Sequence, residues 1–200
     1  MKGRYLIYIV LSLGLIIFCA LWVLSESKNK TYEDYLSRVI ADKAAIISSL
    51  PTYTSEMIEV VLENGTISKS QANELMKSFW ELYLEIQDLE GFAIQLGELE
   101  KDNVSNHAQS VVYEFHSYMI NLQASIDKEE ILLTGQQKND LDHMKKQLQS
   151  YSMAVTDQFK FAISVMDHPV GYYQSYLDLG VTNDYWVMLL ESYEEVTIIN

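Results

Sequence analysis

The chain has 200 residues and carries 14 basic against 28 acidic side chains, a formal charge of −14. That balance excludes a nucleic-acid-binding face, which needs a basic footprint, and a basic patch lying on anionic lipid. A hydrophobic share of 48% excludes wholesale disorder; eight Gly and two Pro are too few for a turn-rich β-sandwich; one Cys permits no intramolecular disulfide and no Cys-based zinc site.

The N-terminus carries the strongest signal. An uncharged run extends from Tyr5 to Leu24. As a helix rising about 1.5 Å per residue it spans roughly 30 Å, the hydrocarbon thickness of a bilayer. Lys2 and Arg4 precede it, so the positive-inside rule predicts a cytoplasmic tail at 1–4, a transmembrane signal anchor at 5–24 and the bulk of the chain outside the cytoplasm. Lys28 and Lys30 weaken that bias from the far side. Tyr5 and Trp22 stand near the two ends, where amphipathic rings prefer the interface, and Leu24 closes the run. Two alternatives compete. A cleaved signal peptide would use Ser25-Glu26-Ser27 and leave a secreted protein, but its apolar core is typically ~7–15 residues, shorter than this one. A lipoprotein would modify Cys19, yet Phe18 is bulky where a small residue is required. Cys19 therefore reads as a lipid-facing or helix-packing residue. No second run of comparable length follows, so a single crossing is expected.

Residues 25–30 read as a short connector and 31–200 as one extracytoplasmic helical domain. Tyr32, Tyr35, Leu36, Val39, Ile40, Ala44, Ile46 and Ile47 predict a helix over 31–50, ended by Pro51. A short helix over 55–63 follows, with Asn64-Gly65 as its stop. Ser68 and Gln71 have capping-box spacing, with Ile67 before them. The helix they open shows the clearest pattern: Ala72, Leu75, Phe79, Leu82, Ile86, Leu89, Ala93 and Leu96 alternate in steps of three and four, widened by Met76 and Tyr83, until Gly97. Val104, Ala108, Val111, Phe115, Tyr118, Leu122 and Ile126 predict a helix over 104–126. Residues 127–133 read as a connection, and no convincing strand is found. Thr134 and Gln137 form a second capping-box pair. Leu141, Met144, Leu148, Tyr151, Val155, Phe159 and Ala162 carry the helix they open to Met166, before Pro169. Two shorter helices are expected over 170–179 and 183–195. The fold class is all-α: a membrane helix followed by an antiparallel, four-helix-type bundle with a C-terminal helical pair.

Chemistry finds little footing. Asn64-Gly65-Thr66 sits like the middle of a calcium loop, but Val60, Leu62 and Gln71 would then fill ligand positions that require oxygen donors and a final Glu. A bundle diiron site needs two Glu-x-x-His pairs; only Asp140-x-x-His143 comes near. His107, His116 and His168 fit no ligand pattern. There is no nucleophile motif and no phosphate-cradling loop. Glu81, Glu85 and Asp88 read as a solvated stripe. No metal, cofactor or catalytic residue is assigned, and no enzyme activity is expected. Tyr172, Tyr173, Tyr176, Tyr185, Trp186 and Tyr193 crowd the C-terminal segment. They either close the end of the core or form a partner or ligand surface.

A single anchor followed by an exterior bundle is similar in layout to the sensor halves of bacterial membrane receptors. Those carry a second membrane helix and a cytoplasmic output domain, so this chain is not expected to signal by itself. The leading expectation is a membrane-tethered interaction or accessory subunit, binding protein partners or a second copy of itself. A small-ligand-binding bundle is the alternative.

Overall fold

The computed structural model describes residues 2–100, 107–160, 162 and 169–196, with side chains from residue 11 onwards except that of Pro169. Among them are six helices and almost no sheet: α1 (Lys2–Asn64), α2 (Lys69–Leu96), α3 (His107–Ala124), α4 (Gly135–Gln158), α5 (Pro169–Leu179) and α6 (Tyr185–Glu194), with two short strands, β1 (Thr66–Ser68) and β2 (Glu130–Leu132). The all-α expectation holds.

The main correction concerns α1, which runs unbroken for 63 residues. It passes through the expected connector at 25–30 and through Pro51, which was expected to end it. Proline has no N–H, so the carbonyl four residues back loses its helical donor. Here that carbonyl belongs to Ile47, and the buried Tyr193 hydroxyl donates to it at 2.6 Å. The hydroxyls of Ser49 and Thr54 also donate back to the carbonyls of Ala45 and Leu50, at 2.8 and 2.7 Å. A tertiary bond thus replaces the missing local one, and the helix continues.

The N-terminal part of α1 is long and apolar enough to cross a membrane, and none of its apolar window is buried. Exposure persists through Tyr35. From Ser37 onwards α1 becomes a core helix, burying Ile40, Ala41, Ala44, Ile47, Ile58 and Val61 against α2, α4 and α5. Alanines on this face allow close approach of the neighbouring helices.

Both capping boxes form. Ser68 Oγ accepts the Gln71 N–H at 3.1 Å, and Gln71 Oε1 accepts the Ser68 N–H at 2.9 Å. Thr134 and Gln137 repeat the exchange at 3.2 and 2.8 Å. Gly97 closes α2 at φ 80°, the left-handed conformation glycine takes at little steric cost. The predicted seam of α2 is buried from Ala72 to Ala93, and Leu96 lies outside it.

Three further differences stand out. The segment expected to be a plain connection contains β2, which pairs antiparallel with β1 through Ile67 opposite Ile131. The Lys69 N–H to Glu129 carbonyl and Leu133 N–H to Gly65 carbonyl bonds, at 2.9 and 3.0 Å, extend the ladder. Two chain reversals at one end of the molecule thereby satisfy each other's backbone groups. Second, α4 ends at Gln158, with Phe159 in extended conformation; the remainder of the expected helix falls largely outside the described residues. Residues 104–106, expected to open α3, also lie outside them. Third, Glu85 and Asp88 are not simply solvated: both accept from Lys43 of α1, at 2.8 and 2.7 Å. Burial alone would lower the Lys43 pKa, but hydrogen bonds to the two carboxylates outweigh it and hold the ammonium above its ordinary value.

Candidate functional site

The six C-terminal aromatics turn mainly inward. Tyr172, Tyr176, Tyr185, Trp186 and Tyr193 are buried, and only Tyr173 is partly exposed. Tyr176 stacks on Tyr185 with ring centres 4.8 Å apart and Tyr193 on Tyr151 at 4.6 Å, while Tyr176 Oη and Ser48 Oγ share a 2.7 Å hydrogen bond. Trp186 Nε1 donates to the Val181 carbonyl, and Ser37 Oγ accepts the Val181 N–H. These rings fasten α5 and α6 to α1 and α4. Flat rings at a bundle end bury large areas with few rotatable bonds, and as packed here five of the six rings are closed off from solvent.

Of the residues expected to anchor the chain, Trp22 and Leu24 are exposed on α1. Lys2, Arg4 and Tyr5 lie on the same helix, and their side chains lie outside the described residues.

An exposed aromatic strip, not anticipated from the sequence, runs along the outer groove between α2 and α3. Trp80 stacks on Tyr83 (ring centres 5.1 Å, planes 15° apart) and meets His116 at 5.0 Å; Tyr83 meets Tyr113 at 5.5 Å. Trp80 is 40% exposed, Tyr113 50% and Ile120 43%, and Leu84 adds a further exposed apolar side chain. His116 is held by a 3.0 Å contact from Nδ1 to the Met76 carbonyl, which makes that nitrogen the donor. The core seams of α2 and α3 bury a separate face of each helix, through Phe79 on Phe115 among others. The strip is thus a second apolar stripe, at 80, 83 and 84 on one helix and 113, 116 and 120 on the other. The spacing of three and four was readable; it was hidden by the stronger stripe beside it.

At one end the strip opens into a cleft of about 350 Å³ lined by Tyr83, Gln109, Ser110, Tyr113 and Glu114. Gln109 Nε2 is buried and has no hydrogen-bond partner among the described residues. Two other clefts, beside Met153, are lined mostly by hydroxyls and carboxylates and have no aromatic wall.

Comparison with protein-family models, curated proteins and solved structures finds no match for this chain. The reading of function therefore rests on geometry.

One buried polar cluster remains. Glu194 of α6 accepts the backbone N–H groups of His107 and Ala108, each at 3.0 Å, and so caps the described start of α3. Carboxylates suit helix N-termini, where unpaired N–H groups and the dipole favour negative charge. Glu90 of α2 is buried beside this cap. Desolvation first, then the Glu194 charge, pushes its pKa up to about 7. Among the described residues no three His, Cys, Asp or Glu side chains come together as metal ligands; His143 instead meets the Phe115 ring edge-on, and His168 lies outside the described residues.

Proposed function

We propose that this chain is a single-pass, membrane-anchored interaction or accessory subunit. Its N-terminus is cytoplasmic, and α1 to α4 form an antiparallel, four-helix-type extracytoplasmic bundle that docks a protein partner through the α2–α3 strip. The observation that carries this reading is the row of touching rings, of which Trp80 and Tyr113 are solvent-exposed and Tyr83 and His116 half-buried. Trp and Tyr are enriched at interface hot spots, and an exposed apolar patch on an otherwise acidic surface marks a place where water is displaced by a partner. The apolar start of α1 supplies the tether, and the charge of −14 keeps the rest of the surface hydrated.

A photo-crosslinking side chain placed at Ile120 or Trp80 in intact cells tests it. Adducts to a discrete protein from these positions, and none from the exposed Val60 or Tyr53 on α1, are expected. Equal labelling from both faces, or none from the strip, would sink the reading. An adduct at twice the chain's own mass would identify the partner as a second copy.

A further inference from the structure

We propose that the last turn of α6 is a pH-sensitive latch on the described start of α3, closed while Glu90 keeps its proton and loosened when Glu90 ionises opposite Glu194. The inference is independent of the docking reading. Glu194 is the last residue of α6. Both its oxygens are used: Oε2 accepts the His107 N–H and Oε1 the Ala108 N–H, each at 3.0 Å. An ionised carboxylate is the form that accepts through both oxygens, and a helix N-terminus favours that charge. The residues joined are 87 and 86 positions apart, so this cap exists only while α6 stays docked. The caps of α2 and α4 differ in kind, since Ser68 with Gln71 and Thr134 with Gln137 are local pairs that do not titrate. The adjacent Tyr193 holds the Ile47 carbonyl, so one turn of α6 fastens both α3 and α1.

Glu90 is placed to work this latch. It stands on α2 with 7% of its surface exposed, and α6 packs against α2, α3 and α4. The charge that faces it is that of Glu194. The other titratable groups around the pair are His107 of α3 and, towards Glu194, Tyr151 of α4, whose hydroxyl is held protonated by burial. Lys43 of α1 is committed to Glu85 and Asp88, earlier along α2. Two carboxylates at one buried junction do not both ionise without cost. Glu194 is kept ionised by its two N–H donors, so the proton resides on Glu90.

Deprotonation opposes closure. In the closed form, desolvation and then the Glu194 charge raise the Glu90 pKa to about 7, against an ordinary value of 4.5 once water reaches it. The closed form is therefore fully favoured below the ordinary value and loses ground as pH rises through about 7. With those two values, going from pH 5 to pH 8 favours the open form by up to roughly 70-fold. Relief needs water at Glu90, and lifting the last turn of α6 admits it while stripping the cap from His107 and Ala108. A His107 imidazolium beside Glu194 would give the same sign, so the two groups must be separated.

The test is hydrogen exchange of the full chain in lipid nanodiscs between about pH 5 and 8, corrected for the intrinsic pH dependence of exchange. It is read by mass on peptides from the start of α3 and the end of α6. Protection of both segments should fall at least about tenfold across that range, while the first turn of α2, capped by Ser68 and Gln71, holds steady. Glu90→Gln should keep both segments protected at the alkaline end, and His107→Gln should leave the fall in place. Glu194→Ala should expose the start of α3 at every pH. The latch is overturned by a flat parent profile, by a fall that persists in Glu90→Gln or vanishes in His107→Gln, or by an equal fall at the start of α2. A start of α3 still protected in Glu194→Ala would overturn it too. The parent profile decides by itself if a variant folds poorly.

Discussion

Tyr193 shows how one side chain decides the shape of the molecule. Its hydroxyl stands in for the N–H that Pro51 lacks, and its ring stacks on Tyr151 in the core. Tyr193→Phe keeps the ring but strands the Ile47 carbonyl, a loss expected to cost about 1–3 kcal/mol of stability. Pro51→Ala restores a backbone donor to the same carbonyl, so in that background Tyr193→Phe should cost less than about 1 kcal/mol. Denaturant unfolding of the four chains measures the coupling, and equal costs in both backgrounds would refute the compensation. Glu90 makes a second prediction at this scale. Its pKa is raised in the folded chain to about 7, so the native state holds a proton that the unfolded state has released. Stability from this group is therefore complete below the ordinary carboxylate range and is lost as pH rises towards 7. Glu90→Gln should remove that slope and leave the chain about 1–3 kcal/mol more stable than the parent above pH 7. A parent whose unfolding free energy does not fall between pH 5 and 8 would contradict it.

At the scale of elements, what the sequence reveals depends on how local the cause is. The capping boxes at Ser68 and Thr134, the stop at Gly97 and the seam of α2 are written within one or two turns and could be read directly. Pro51 also reads locally as a stop, yet the hydrogen bond that compensates it is made to Ile47 by a residue 146 positions further along the chain. The β1–β2 pair is equally non-local: each strand is three residues long and exists because the other lies beside it. The aromatic strip was legible in spacing but not in exposure, since only the hairpin of α2 on α3 shows which of two apolar stripes is left uncovered. Continuity of α1 gives a direct test. Spin labels at the exposed positions Glu26 and Asp42 should lie about 24 Å apart along one helix, with a narrow distribution. Lys30→Pro should kink or break that span, shortening or broadening the distance. A parent already broad would restore the connector at 25–30.

The whole molecule divides into an exposed helix and a bundle that does not depend on it for packing. Residues 11–35 are exposed, and the first buried side chain on α1 is Ser37. Burial of apolar surface is the main stabilising term, so a segment that buries none adds little to the stability of the rest. Deleting residues 1–24 should therefore leave the unfolding midpoint of the bundle within a few degrees of the full chain's in nanodiscs. The same deletion should move the protein from a carbonate-washed membrane pellet to the soluble fraction, because it removes the apolar run that spans the hydrocarbon layer. The two readouts separate packing from anchoring. A lowered midpoint would mean that α1 supports the bundle along its whole length. A full chain that washes off with carbonate, or that has an intact mass starting near Lys28 in its own cells, would mean that the segment is a cleaved leader. The strip and its cleft would then belong to a secreted acidic protein, free to meet partners away from the membrane.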